Sequence, residues 1–433
     1  MRLSLLVSPT GLHAGAWRLP EAQVEKMFEF SRYVETAQTA ERGFFDLLFV
    51  ADVATLFPSK PKNLGRGSIQ CVLEPVTLLS ALSAVTKEIG LAGTISTSYS
   101  HPYQVARMMA SLDHISRGRA AWNLVTSANP NEAPLFGLSE PMPVEERYRR
   151  AKEFVDVVCQ LWDCWDDDAF IFDTENGQFF DPTKMHPTHF EGEHIKVDGM
   201  LSMPRSPQGR PMIAQAGQSE AGMTLAGQTA DIVFTQQAEL ESAKKFYKSI
   251  KSRAVAAGRR PEDICVMPGL MAFVANTEAE AIAKRKRADE AFDVSVGIDS
   301  LSVVFGIDLS DYAPDKPLPK DLPTSDISLS QRDTLLGLAD RDNLTLRQLV
   351  QTVASRNHWI LCGTPTTVAD GMEQYFNEGA ADAFMLFPGV MSEDLDSFVE
   401  LVVPELQRRG LVRTEPNGTT LREKFGLGRP RIS

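Results

Sequence analysis

Arg117-Gly-Arg-Ala-Ala-Trp-Asn-Leu-Val-Thr-Ser127 carries three signals in order: a charged turn with glycine, a short apolar run, and small polar residues at its end. Such a segment reads as a buried strand entered from a tight turn. In a barrel of parallel strands its polar tip lies at the carboxyl end, where ligands bind.

Seven other runs share this character. Together with residues 120–126 they are residues 3–8, 46–51, 90–96, 211–216, 231–235, 265–274 and 382–387. Helical periods fill the gaps, over residues 22–42, 75–87, 102–115, 144–162, 220–228, 239–257, 278–292 and 365–378. Glu41-Arg-Gly43 supplies a helix C-terminus, and Thr364-Pro365 an N-cap followed by proline. Eight strand–helix units predict an α/β fold, a (β/α)8 TIM barrel, with an open doubly wound sheet as the alternative.

Three stretches depart from the repeat and predict insertions in a single domain spanning residues 1–433: about 51–73, 163–209 and 294–349. In the second, Glu175-Asn-Gly177 and Val197-Asp-Gly199 read as hairpin turns. Long loops on a barrel are commonly lids or subunit contacts. The polar tail, residues 408–433, is expected to wrap a neighbouring surface.

Composition sets limits. The chain has 433 residues, 43% hydrophobic and 23% charged, with a formal net charge of −13, which argues against nucleic acid or an anionic membrane as partner. There is no run of roughly 20 apolar residues for a membrane span and no signal-peptide pattern, so a cytoplasmic location is expected. Cys71, Cys159, Cys164, Cys265 and Cys362 have no metal or disulfide spacing and read as reduced thiols. His186, His189 and His194 cluster in a loop without a helical ligand pair, so no metal site is expected. Walker, GxGxxG and GxSxG motifs are missing.

Phosphate has a natural seat at Gln215-Ala-Gly-Gln-Ser-Glu-Ala-Gly222, between a strand and a helix start. Gly217 permits close backbone approach and Ser219 suits an N-cap; a capped helix without ligand is the plain alternative. Tyr148 sits near another helix start, where its hydroxyl suits a phosphate or simple packing. Asp52, Ser98, Asn123, Thr126 and Ser219 would converge on one barrel mouth.

With Asp113-His-Ile-Ser-Arg-Gly118 before it and Glu146-Arg-Tyr148 after it, the opening stretch resembles the bacterial luciferase-like flavin-dependent monooxygenases. The nearest branch is the nitrilotriacetate, dibenzothiophene-sulfone and pristinamycin-type enzymes (component A). Gly11-Leu-His-Ala-Gly-Ala-Trp-Arg18 and Pro404-Glu-Leu-Gln-Arg-Arg-Gly-Leu411 extend the resemblance along the chain. It implies a two-component enzyme that takes reduced FMN (FMNH2) from a separate NAD(P)H:FMN reductase. One oxygen atom of O2 would enter a small organic substrate through a flavin peroxide.

Carried over by position, the resemblance places Asp52 and Ser98 beside the flavin and Tyr148 and Ser219 on its phosphate. It also implies a cis peptide at Ala51–Asp52 and a homodimer or homotetramer. His13 is the leading catalytic candidate, with bracing of its own loop as the alternative. Val144 stands where many relatives carry histidine, so weaker flavin binding is expected. Phe57, Phe136, Phe179 and Phe180 are candidates for an apolar substrate lining. The competing readings are a deazaflavin-dependent oxidoreductase of the same superfamily and a non-catalytic flavin-binding protein.

Overall fold

The computed structural model describes residues 1–55, 63, 65–67, 73–319, 322, 329–355 and 358–432. Eight strands close into a barrel: β1 (Arg2–Leu6), β2 (Leu47–Val50), β3 (Gly90–Ser96), β4 (Ala120–Val125), β5 (Met212–Gln215), β6 (Ile232–Thr235), β7 (Cys265–Val274) and β8 (Ala383–Leu386). Each pairs in parallel with the next, and β8 returns to β1 through Arg2↔Ala383 to Leu5↔Leu386. These are the eight segments expected from the sequence, now in a closed ring. Alanines at 92, 121, 214 and 383 alternate with Leu47, Phe49, Met212, Met267 and Met385 to fill the interior. Small against large is what a narrow barrel requires.

The Arg117 stretch works as its residues suggest. The helix Pro102–Ser116 ends on Arg117 at φ 59°, followed by Gly118 at φ 88°. The buried Asp113 carboxylate accepts hydrogen bonds from Ala120 N at 3.0 Å and Gln208 Nε2 at 2.6 Å. Arg119 donates to the carbonyls of Ser83 and Ile89. Strand entry and two neighbouring loops are thus held by the side chains of Asp113 and Arg119 on either side of the turn.

Several expectations are corrected. Residues 22–29 are not α-helical: 3₁₀ turns precede a helix that spans Phe30–Arg42, because Gln23 adopts φ 45° and breaks the run. A ninth strand, Trp359–Gly363, pairs with Leu270–Val274 of the unusually long β7. The last insertion contains the helices Val294–Phe305, Leu329–Asp342 and Leu346–Ala354.

The Glu175-Asn-Gly177 turn joins Phe170–Asp173 to Gln178–Phe180 as expected. Val197–Gly199, however, lies inside the strand Lys196–Gly199, paired with Thr188–Glu191. The turn between them is pinned by Glu153, whose carboxylate accepts from the backbone N–H groups of Glu193, His194 and Ile195. That tertiary clamp has no local sequence signature. Nor does the tail merely wrap a surface: Leu421 and Phe425 are buried with the barrel interior, and Arg422 forks onto Asp231 at 3.0 Å. The tail plugs the amino end of the barrel.

The cis peptide among the described residues is Met391–Ser392, and Ala51–Asp52 is trans. Trans is the default for a non-prolyl bond by several kcal/mol, and nothing local to Ala51–Asp52 opposes it.

Candidate active site

A cavity of about 320 Å³ opens at the carboxyl ends of the strands. Its lining comes from the loop after β1 (Val7 to Leu12), from Ala51 and Asp52 after β2, and from Thr94 and Asn123 inside β3 and β4. Ala216, Phe234, Gln236, His358, Met385 and Phe387 complete it. The size lies within the range of small-molecule sites.

One wall is a polar relay across three strands. Thr94 Oγ1 donates to Val50 O at 2.8 Å, and Asn123 Nδ2 donates to Thr94 Oγ1 at 2.8 Å. With the Thr94 proton committed, the amide nitrogen of Asn123 must face Thr94, which fixes the orientation of the amide. Asn123 Oδ1 is then a buried acceptor without a protein partner, and so is Gln215 Oε1, one residue below Ala216. A buried unpaired oxygen costs on the order of 1–3 kcal/mol. Asn123 Oδ1, in the cavity lining, asks for a donor from a ligand.

A second feature lies on the rim. Ser219 caps the helix Glu220–Thr229, accepting from Gly222 N at 3.1 Å. Tyr148 Oη, from the helix Val144–Trp162, reaches Ser219 Oγ at 3.2 Å. Gly217 and Gly222 pack so closely that a Cβ on Gly222 would lie 3.0 Å from Tyr148 Oη and 3.1 Å from Ser219 Oγ. Two hydroxyls and the free N–H groups of a helix start therefore surround a space that side chains would fill, and that chemistry suits a phosphate.

The same helix is locked to the strand tips. Arg147 Nη1 donates to Ser127 O at 2.7 Å, and Arg150 donates to Thr97 O. Between these tips, Ser98 Oγ donates to Thr126 O at 2.6 Å and Ser127 Oγ donates to Ser96 Oγ at 2.8 Å. Ser98 and Thr126 thus shape the rim between cavity and cradle rather than line the cavity.

Asp52 stands at the cavity mouth. Burial, followed by the nearby carboxylate of Glu74, raises its pKa above the ordinary aspartate value. Glu132 adds to this, and its own carboxylate holds Ala54 N at 3.0 Å.

His13 is elsewhere. It is 2% exposed; its Nδ1 accepts from Gly15 N at 3.1 Å and its Nε2 meets Asp289 at 3.0 Å. With both ring nitrogens engaged, it braces the loop after β1 against the helix Glu278–Ala291. The loop itself is held close to β8's exit, where Leu12 N bonds to Pro388 O.

The candidate aromatic lining is not assembled either. Phe136 stacks on Tyr99 at 4.4 Å, and Phe179 and Phe180 pack in the hairpin cluster with Phe170 and Trp165. Phe57 lies outside the described residues. The phenylalanines that do line the cavity, Phe49, Phe234 and Phe387, sit on or beside β2, β6 and β8 and look like ordinary core residues in sequence. Thr94 and His358 were also missed. Their only signal is position at a strand's carboxyl end or, for His358, none.

The loop histidines do not meet: His186 pairs with Asp166 and His189 with Asp198. His194 lies near Glu153 and Glu193, but Glu153 is spent on three backbone N–H groups and Arg149 stands 3.5 Å from Glu193. Burial pushes the Cys159 and Cys164 thiols up to about 11 and Cys265 to about 12, so these three are protonated packing groups.

Barrel, mouth and rim cradle together define an α/β barrel with a small-molecule cavity at the carboxyl ends of its strands and a helix-start cradle on its rim. The luciferase-like monooxygenase family model matches residues 6–382, and the chain belongs to that family. The chain is 45% identical to N-acetyl-S-(2-succino)cysteine monooxygenase of Bacillus subtilis (strain 168), covering 99% of this chain and 97% of the relative. It is 44% identical to nitrilotriacetate monooxygenase component A of Aminobacter aminovorans, covering 100% and 98%. The crystal structure of DmoA from Hyphomicrobium sulfonivorans superposes with a TM-score of 0.88 at 30% identity, covering 98% of this chain and 91% of the other. The chain is an oxidoreductase of the flavin-dependent monooxygenase type.

Proposed function

We propose that the chain is the oxygenase half of a two-component system: it accepts reduced FMN from a separate NAD(P)H:FMN reductase and uses O2 to place one oxygen atom on a small organic substrate. The observation that carries this reading is the Tyr148–Ser219 cradle set beside a cavity lined by Asn123, whose Oδ1 is an unpaired acceptor. "Component A" in the name of the nitrilotriacetate relative supports the division of labour. Bound FMN in its reduced form supplies the electrons that activate dioxygen.

The chain's own residues would do the rest. Tyr148, Ser219 and the helix start hold the phosphate, with Gly217 keeping the approach clear. Asn123 Oδ1 accepts from a ring N–H group. Ser98 and Thr126 keep the rim in shape, and Asp52, with its raised pKa, can hold or release one proton at the mouth. Phe234, Phe387 and Met385 exclude water. His13 positions the loop over the cavity. The expected assembly is a homodimer or homotetramer in the cytoplasm, to be read by light scattering. No described helix is long and apolar enough to cross a membrane.

Carboxylate-bearing thioethers and amines are the first substrates to test, given the relatives named for N-acetyl-S-(2-succino)cysteine and nitrilotriacetate. The deazaflavin reading has less behind it: the matched structure of a coenzyme F420-dependent reductase from Methanopyrus kandleri is 17% identical with a TM-score of 0.58, a likeness of fold alone. The decisive experiment mixes the protein with FMN, NADH and a generic flavin reductase, then follows oxygen uptake and product mass. An oxygenated product that needs both proteins supports the proposal. Bound flavin without oxygen uptake would leave a flavin-binding protein, and failure to bind reduced FMN would remove the cofactor.

A further inference from the structure

Among the described residues that line the cavity, two side chains are titratable, Asp52 and His358, and only His358 can carry positive charge. The rest of the lining is apolar, hydroxyl or amide. His358 is 7% exposed and lines the cavity together with residues on or beside β6 and β8, whereas the cradle is built on the segments that follow β4 and β5.

Its ring packs against two phenylalanines. The imidazole lies over Phe387 with ring centres 4.1 Å apart and 32° between planes, and Phe234 flanks both rings at 6.2 and 5.7 Å. All three rings occupy space that β7 leaves empty at Gly269. A Cβ there would collide with Phe387 Cε2 and lie 3.0 Å from both His358 Nδ1 and Phe234 Cε2. A strand interior disfavours glycine, so a glycine that admits three rings marks a place where barrel packing yields to the shape of the site. Gln236 Nε2 stands 3.5 Å from His358 Nε2 and extends the polar edge towards the mouth.

We propose that His358, seated over Gly269 and stacked on Phe387, is the residue that binds a carboxylate of the organic substrate and so sets specificity for acidic substrates. This rests on the reading of the cavity as the flavin and substrate site. A carboxylate entering an apolar cavity loses its hydration, and a charge-assisted hydrogen bond from an imidazolium offsets that loss. Asp52, also in the lining, has no positive charge to offer such a group. The chain's formal charge of −13 makes a local cation at the mouth more necessary for an acidic ligand.

The test uses N-acetyl-S-(2-succino)cysteine and nitrilotriacetate as probes, with their methyl esters as uncharged controls, on the full chain with FMN and a flavin reductase. His358→Phe should bind reduced FMN as the wild type does and raise KM for the acids about tenfold or more, with kcat at saturation within about twofold. The preference for acid over ester should collapse. His358→Gln, which keeps a hydrogen bond but no charge, should fall between the two. Gly269→Ala, which leaves His358 in place and displaces its ring, should raise KM in the same direction.

Unchanged KM values in His358→Phe with flavin bound would overturn the assignment. So would a wild-type chain that binds reduced FMN but oxidises neither acid. A wild-type chain that binds no reduced FMN would instead sink the reading of the cavity.

Discussion

Tyr148 Oη lies 3.2 Å from Ser219 Oγ, joining the amino-terminal parts of two helices through residues 71 apart in the chain. The contact needs both helices to start at the same height on the barrel rim. Arg147 and Arg150 secure the first of them to the tips of β4 and β3. Two hydroxyls in contact can each turn a proton outward, so the pair is ready to donate to one phosphate. Tyr148→Phe and Ser219→Ala are each expected to weaken FMN binding about tenfold, and the double variant by less than the product of the two, because the residues share one ligand group. Riboflavin, which lacks the phosphate, should bind all forms alike. Equal losses for FMN and riboflavin would remove the phosphate role. Ser219→Ala should also cost about 1 kcal/mol of stability as a lost helix cap.

Gly222→Ala separates site from scaffold. Inside a helix, alanine is favoured over glycine by about 1 kcal/mol, so propensity alone predicts a stabler protein. Yet the added Cβ would sit 3.0 Å from Tyr148 Oη and 3.2 Å from Gly217 Cα, in the cradle itself. The expected result is an unchanged or higher Tm together with a clear loss of FMN affinity. If affinity stays at the wild-type value, the space between Tyr148 and Ser219 is not where the phosphate sits.

The barrel was legible because each strand is a short apolar run ending in small polar residues, and the eight expected segments all closed the ring. The rim cradle was legible too: Gly217, Ser219 and Tyr148 announce themselves by residue type next to helix starts. The interior wall was not. Thr94 matters because its hydroxyl orients Asn123, and Gly269 because three rings converge on it; neither relation has a local pattern. His13 illustrates the opposite error. A histidine in a loop after β1 invites a chemical role, whereas the structure gives both of its nitrogens to Gly15 and Asp289. Trp359–Gly363 escaped notice because a five-residue strand after a long insertion looks like any apolar stretch. The Gly192–Ile195 turn needed Glu153, some 40 residues upstream.

Val144 opens the helix that carries Tyr148, one turn before it, and is 53% exposed. Positions four apart share a helix face, so a larger polar side chain at 144 would point along the same rim as the tyrosine hydroxyl. Val144→His is therefore expected to tighten FMN binding severalfold by adding a donor beside the cradle. Equilibrium titration with reduced FMN reads the effect, and equal dissociation constants for the two proteins would refute it.

Asp394 is 1% exposed beneath the loop that follows β8, and its Oδ2 accepts from Val390 N at 2.7 Å. Burial pushes its carboxyl up to about 7, with the Val390 N–H and Lys284 opposing. A folded pKa above the unfolded value of 3.8 means the folded state holds this proton more tightly. The stability this group contributes is thus complete below about pH 4, declines as pH rises towards 7, and stays low above that. Asp394→Asn keeps an acceptor for Val390 N and abolishes the titration. Between pH 5 and pH 7 the variant should gain stability relative to the wild type by about 1.4 kcal/mol per pH unit at most, as read from urea unfolding midpoints. A difference that stays constant over that interval would show that Asp394 does not hold its proton near neutrality. A loss of stability in Asp394→Asn at every pH, by the same amount, would assign the residue to packing alone.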